Sequence, residues 1–306
     1  MIQSLISTLM ALLASILSGI MLRIDPSRAP STEDFEKFVK VLFSHEIAHR
    51  GGSHDAPENT ICAFQKAVQH GYKAIELDIQ FTSDGEAVVI HDESLDRTTN
   101  GKGEVSDSTL EEVKSLSANN NFSDVGDCKV PTLDEAIEFA IANNLILLFD
   151  VKGGVHCSKF TKTLTRILKK YPQFSNNFAV ISFFPDILYQ VRQTHPTVIT
   201  GFTRSHDDIQ DKVTKAGFKS PALQPLLLLA DRVFDFVMFY YFVPWMKINM
   251  LEIRKNDVSE QYVQSVAPLP VLTWTVNDPA EKKFFKRIGC SVMTDVVSDA
   301  LPVVLS

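Results

Sequence analysis

Two histidines, three carboxylates, an arginine and a lysine occupy one kind of position in this sequence, the end of an apolar run. His49-Arg50-Gly51-Gly52 closes the run that starts at Glu46, and Glu76-Leu77-Asp78 closes the run from Ala74 to Ile79. A shorter run, Ala87 to Ile90, ends at His91-Asp92, and Leu145 to Val151 ends at Asp150-Val151-Lys152. Side chains alternate along an extended chain, so Glu76 and Asp78 share a face, as do Asp150 and Lys152. Two acids on one face are costly without a cation. Three carboxylates suit a hard divalent ion that keeps positions open for phosphate oxygens and water, with Mg2+ expected first and Ca2+ or Mn2+ as alternatives. Arg50 complements phosphate through its bidentate fork and Lys152 as a point charge. Histidines His49 and His91 can divide the proton work, one taking a proton from the attacking oxygen and the other giving one to the leaving alkoxide. Singly, each of these is an ordinary strand-end residue; together they spell phosphoester hydrolysis.

Such groups must be gathered by a scaffold, and the chain alternates β-type runs with helical patterns in the manner of a parallel sheet wrapped by helices. We read strands at Glu46 to His49, Ala74 to Ile79, Leu145 to Val151, Ala179 to Phe183, Val198 to Phe202, Lys247 to Ile253, Pro270 to Val276 and Ser291 to Asp295. Helical stretches include Thr60 to His70, Leu133 to Asn143, Phe160 to Tyr171 and Ser259 to Val266. Eight strands with intervening helices predict a (β/α)8 TIM barrel over residues 44–306, with the working groups at the C-terminal mouth. A doubly wound sheet is the alternative. The hairpin strand and a turn-rich stretch at about 92–130, containing Asn100-Gly101-Lys102-Gly103, predict a small inserted subdomain after the second strand.

The rest of the chain bounds the setting. A net charge of -7 over 306 residues, without a basic cluster, argues against a nucleic-acid surface. Residues 1–22 carry no charged side chain, and as a helix they would reach about 33 Å, enough for a hydrocarbon core of about 30 Å. They are read as a single-pass transmembrane anchor in the plasma membrane or an endomembrane, and 23–43 as a linker. Arg23 and Arg28 would keep the barrel cytoplasmic. Asn121-Phe122-Ser123, a glycosylation acceptor pattern, would make it lumenal or extracellular. Leu223 to Met246 is apolar but holds Asp231, Arg232 and Asp235, and is read as lying on the lipid surface instead of crossing it. Cys62, Cys128, Cys157 and Cys290 are read as thiols, and His45, His54, His70, His156, His195 and His206 as structural.

From about Ser44 to Val296 the chain resembles the glycerophosphodiester phosphodiesterase family. The matching motifs are His49-Arg50-Gly51, Pro57-Glu58-Asn59-Thr60, Glu76-Leu77-Asp78, His91-Asp92, Arg97-Thr98-Thr99, Pro131-Thr132-Leu133, Trp274-Thr275-Val276-Asn277 and Thr294-Asp295. Phe149-Asp150-Val151-Lys152-Gly153 and the amino-terminal run make it most similar to the membrane-bound animal members. The resemblance implies a (β/α)8 barrel and cleavage of glycerophosphodiesters to sn-glycerol 3-phosphate and an alcohol. It also implies His49 and His91 as acid/base catalysts, Trp274 in substrate binding, and Glu76, Asp78 and a third acid as metal ligands. Bacterial relatives usually carry Glu where this chain has Asp150. Glycerophosphoinositol, glycerophosphoethanolamine and N-acylated forms are the expected substrates, with the membrane lipid surface as a partner. A lysophospholipase D acting on membrane lysophospholipids and a catalytically inactive scaffold are the competing readings.

Overall fold

The Val-, Ile-, Leu- and Phe-rich runs are buried on both faces, as strands inside a helix-wrapped parallel sheet must be. A computed structural model describes residues 30–119, 122, 126–152, 157–206, 208–215, 217 and 224–298. Its strands are β1 (Ile47–Ala48), β2 (Ala74–Phe81), β3 (Ala87–Val89), β4 (Ile146–Val151), β5 (Phe178–Ser182), β6 (Ile199–Arg204), β7 (Met250–Arg254), β8 (Val271–Trp274) and β9 (Cys290–Thr294). β1 pairs in parallel with both β2 and β9, which closes eight parallel strands into a barrel and sets aside the doubly wound alternative. β3 adds antiparallel to the mouth end of β2, forming the expected hairpin. Each sequence-predicted strand has a counterpart, but the first is shorter than expected: it stops at Ala48, so His49 stands on a 3-10 turn.

Alternation divides the strands between two cores. Outward residues such as Ile75, Leu77, Phe149, Val180, Phe202 and Leu251 pack beneath the helices. Inward residues Ala74, Ile146, Leu148, Ile181, Met250 and Met293 fill the lower barrel together with Phe38 and Leu42. Those last two come from a helix, Thr32–Ser44, where a linker was expected. Ser31 caps it by accepting from Asp34 N, and its buried stripe seals the base of the barrel, where Ser291 Oγ donates to Leu42 O at 2.6 Å. Apolar layers thus end below the strand tips, and the charged layer lies at the mouth.

The insertion has its own small core of Val88, Ile90, Leu95, Val105, Val113, Ala118 and Val130. A Cys62–Cys128 disulfide fastens it to helix Ile61–Gln69, which corrects the reading of these two cysteines as thiols; Cys157 and Cys290 are free and buried. Residues 1–22, where the sequence leads us to expect an anchor, lie outside the described residues, as do Asn121, Ser123, His156 and Leu223.

The apolar stretch forms helix Gln224–Val237, which continues through a π-helical turn, Met238–Phe242, into Val243–Met246. No helix of the described residues is long and apolar enough to cross a membrane. The chain leaves the barrel after β6 and rejoins the same closed sheet at β7. The acids of this helical rod turn inward: Arg204, at the end of β6, donates to Asp235 at 2.7 Å and to Asp231 at 2.8 Å. Its apolar residues Leu226, Leu228, Leu229, Phe236, Tyr240 and Tyr241 are left exposed. Removing one partner of a buried ion pair strands the others, which costs about 3–5 kcal/mol. Arg204→Ala should therefore lower the free energy of unfolding by about that amount in a denaturant titration. A loss below about 1 kcal/mol, the range of an exposed pair, would show that Arg204 does not hold the rod.

Candidate active site

The turn after β1 has to reverse the chain sharply. Arg50 (φ 51°) and Gly51 (φ 81°) both take left-handed conformations, and a Cβ on Gly51 would lie 2.6 Å from the Phe64 ring. This sets His49 and Arg50 above the strand tips, with the Arg50 amide donating to Glu76 Oε2 at 3.0 Å. Thr60 then caps the next helix, and Asn59 just before it also adopts positive φ. Asn59 Nδ2 donates to Asp78 Oδ2 at 2.9 Å, and Asn59 Oδ1 accepts from the Asp78 amide at 3.2 Å. A residue of the first loop therefore clamps an acid of the second strand.

Parallel register brings the acids together. Asp78 pairs with Asp150 across β2 and β4, both pointing inward. Glu76 starts one layer deeper, and its longer side chain reaches up, so that oxygens of Glu76, Asp78 and Asp150 all lie within 4.8 Å of one another. Three buried acids at this separation cannot all ionise freely. Burial, and then repulsion from Asp78 and Asp150, raises Glu76 well above the usual carboxylate range. Burial also raises Asp150, against the pull of Lys152. For Asp78 the burial effect is overcome by Lys152 and Arg50, which hold it well below the usual range. Lys152 Nζ bridges Asp150 at 2.6 Å and Asp78 at 3.1 Å, acting as an internal cation among the acids. Asp150 Oδ1 is buried without a hydrogen-bond partner. An oxygen-only cluster with excess negative charge and an unused carboxylate oxygen fits a hard divalent cation. The shorter side chain of Asp150 is no obstacle to its joining the cluster.

Both histidines are oriented by carboxylates. His49 Nδ1 lies 2.6 Å from Asp295 Oδ1, and Asp295 also accepts from Ser53 Oγ at 2.6 Å and Asn277 Nδ2 at 3.0 Å. His91 Nδ1 lies 2.6 Å from Asp92 Oδ1. A carboxylate beside Nδ1 holds the N–H there and leaves Nε2 for chemistry. The two Nε2 atoms face the acids, at 3.8 Å from Glu76 for His49 and 4.0 Å from Asp78 for His91. Arg50 adds its Nε at 3.4 Å from Asp78. Trp274, at the tip of β8, packs edge-on against Phe183 with centroids 5.9 Å apart, and its buried indole N–H has no partner.

Seven of the eight sequence-predicted site residues are thus linked by direct contacts, and Trp274 stands apart from them on another strand tip. Sequence reasoning singled out neither Asp92, Asp295 and Asn59 nor Glu252. Asp92, Asp295 and Asn59 lie inside the matching motifs, which is the available signal. Glu252 points into the barrel from β7, where burial pushes it up to about 8 against the hydrogen bond from Thr203 at 2.5 Å. Nothing in its local sequence marks it.

With this geometry in view, the chain can be set beside known proteins. Residues 49–298 match the Glycerophosphoryl diester phosphodiesterase family. The chain is 38% identical over 272 residues to human Glycerophosphodiester phosphodiesterase 1, covering 84% of this chain and 79% of that protein. It is 40% identical over 158 residues to a Glycerophosphodiester phosphodiesterase of Caldanaerobacter subterraneus, covering 51% of this chain and 64% of that one. A solved Oleispira antarctica phosphodiesterase in complex with the product sn-glycerol-3-phosphate superposes with a TM-score of 0.65 at 25% identity, covering 81% of this chain and 92% of that one.

The raised acids give stability a pH dependence of definite sign. Burial gives Glu76, Asp150 and Glu252 a higher proton affinity in the folded chain than in the unfolded one. Stability of the chelated protein therefore falls as pH rises from the ordinary carboxylate range toward 8. Asp78 and Asp295, held low, titrate below this window. A divalent cation replaces the missing protons, so saturating Mg2+ should raise the thermal midpoint by roughly 5 °C or more at pH 8 and by clearly less at pH 5.5. Equal shifts at both values would mean that the cation does not neutralise this cluster.

Proposed function

Because the chain belongs to the glycerophosphoryl diester phosphodiesterase family, we propose that it hydrolyses glycerophosphodiesters to sn-glycerol 3-phosphate and an alcohol. It is a phosphoric diester hydrolase, and in this reading His49 and His91 are the acid/base pair and Glu76, Asp78 and Asp150 hold a divalent cation. The observation that carries it is the convergence of two carboxylate-oriented Nε2 atoms on one cluster of three buried acids. The glycerol-phosphate half of the substrate is supported by the Oleispira phosphodiesterase and its bound product. Mg2+ is the first choice of cation.

When bound, the cation would offset charge on the phosphate and the triad together. Arg50 offers its guanidinium to a phosphate oxygen, and Lys152, once a divalent ion neutralises its two carboxylates, is available as a second positive contact. One histidine Nε2 accepts the proton of the attacking oxygen as its bond to phosphorus forms. The other, protonated, donates from Nε2 to the alkoxide oxygen as the old P–O bond breaks. Asp92 and Asp295 stabilise the imidazolium form of His91 and His49, in the ring that gains the proton and in the ring that starts with one. Trp274 and Phe183 provide an apolar wall that suits a carbon-bearing part of the substrate.

A second reading is favoured by one observation. The exposed Leu226, Leu228 and Leu229 belong to the rod that Arg204 ties to the end of β6, the same end of the barrel as the site. That surface suits contact with lipid and would bring acylated substrates, including lysophospholipids, to the mouth. Rates on a panel of glycerophosphoinositol, glycerophosphoethanolamine, its N-acyl form and lysophospholipids separate the two readings. A dead scaffold is disfavoured by the complete set of acids, bases and cationic groups. We further propose a membrane anchor at residues 1–22 and a barrel outside the cytosol; the Cys62–Cys128 disulfide supports this orientation, as does the Asn121 acceptor pattern. Treatment with an N-glycosidase should then increase the mobility of the protein made in animal cells, and Asn121→Gln should abolish the change; an unglycosylated, protease-accessible barrel on sealed microsomes would place it in the cytosol.

His49→Ala and His91→Ala should each lower kcat by roughly 100-fold to 10,000-fold with the fold retained. Because the pair acts as a unit, the double variant should lose far less than the product of the two losses. Strictly multiplicative losses would show that the rings act independently.

A further inference from the structure

The inserted segment and the barrel meet at one carboxylate. Glu58, in the loop after β1, accepts from Arg50 Nη1 at 3.0 Å and from Arg97 at 2.7 and 2.8 Å. The other edge of the Arg97 guanidinium donates to Asp92 at 2.6 and 2.9 Å. Asp92 in turn holds His91 Nδ1 at 2.6 Å. An unbroken chain of charged hydrogen bonds therefore runs from Arg50 through Glu58, Arg97 and Asp92 to His91. Arg97 and Glu58 are 39 residues apart in sequence, one on the insertion and the other on the barrel. Arg97 is 43% exposed, so its ion pairs add little to stability. Its planar fork, engaged on both edges, fixes direction and distance in a way a flexible ammonium cannot.

We propose that Arg97 and Glu58 are positioning residues: they lock the insertion to the barrel so that the proton-transferring His91 and the phosphate-binding Arg50 keep one fixed separation. This rests on the reading of His91 and Arg50 given above. Neither Arg97 nor Glu58 needs to touch the substrate. Glu58 also precedes Asn59, the clamp on Asp78, which makes Arg97 the cleaner position to alter.

The test uses the full chain saturated with Mg2+ and sn-glycero-3-phosphoethanolamine as substrate. Arg97→Lys keeps the charge and loses the fork; displacing a catalytic group by about 1 Å can cost about 100-fold. The variant should lose about 10-fold to 100-fold in kcat, with KM changed less than about threefold and the thermal midpoint within about 2 °C. Glu58→Gln, which weakens the hold on Arg50 as well, should raise KM and lower kcat together. In a His91→Ala background, Arg97→Lys should cost less than about twofold more, since its effect passes through that ring. Wild-type kcat in Arg97→Lys overturns the proposal, as does a full penalty persisting without His91, or a loss that follows a lowered thermal midpoint and disappears on cooling. His91→Ala alone separates the failures: if it keeps activity, the functional reading falls and this inference with it; if it is inactive while Arg97→Lys is normal, only this inference falls.

Discussion

Repulsion among Glu76, Asp78 and Asp150, buried at the mouth end of a closed barrel with oxygens within 4.8 Å of one another, is the constraint around which the rest of this molecule is arranged. Like charges so close and so dry force one of two outcomes, retained protons or a compensating cation. Lys152 supplies part of the compensation, and the positions of Arg50 and Asn59 supply more at Asp78. The remainder appears as the raised proton affinity of Glu76 and Asp150. Three acids held this way gain from a divalent ion, which supplies the positive charge that Lys152 and Arg50 leave uncompensated.

The barrel makes that arrangement affordable in structural terms by confining it to one end. Below the acids, the interior is apolar down to Phe38 and Leu42 of the helix Thr32–Ser44. Above them, loops from different strands contribute His49, Arg50, His91 and Asp295 from places far apart in the chain. His49 is held by Asp295 of the last strand's exit and Asp78 by Asn59 of the first loop, whereas His91 is held by its chain neighbour Asp92. The site is therefore a property of closure, since β1 must meet β9 for His49 to meet Asp295. The same closure bounds the apolar rod, which lies between β6 and β7 of one barrel.

What was legible in the sequence follows from range. Strands read from short-range alternation came out in place, as did the helix Leu133–Asn143, whose ends are marked by the Thr132 capping box and by Asn144 in the left-handed conformation. Acids at i and i+2 on one strand were legible for the same reason. The helix Thr32–Ser44 was missed because flanking prolines and a charged first turn look like a linker until the barrel base offers Phe38 and Leu42 a surface. His49 was expected on a strand, but three consecutive left-handed residues, Arg50, Gly51 and Gly52, end it one position early. The disulfide and the Asp295 partnership depend on separations of 66 and 246 residues, which no local pattern encodes. Glu252 was invisible because an acid within an apolar strand looks the same whether it faces solvent or the barrel axis.

In the function proposed above, the acid cluster holds a divalent cation and Lys152 fills in for part of its charge. Crystals of the chelated protein, soaked in Mn2+ and measured for anomalous scattering, test it most directly. One strong Mn2+ peak per chain is expected, coordinated by Glu76, Asp78 and Asp150, with the Lys152 ammonium moved off Asp78 and Asp150. A cluster without a peak at saturating Mn2+, with Lys152 still bridging the two aspartates, would contradict it.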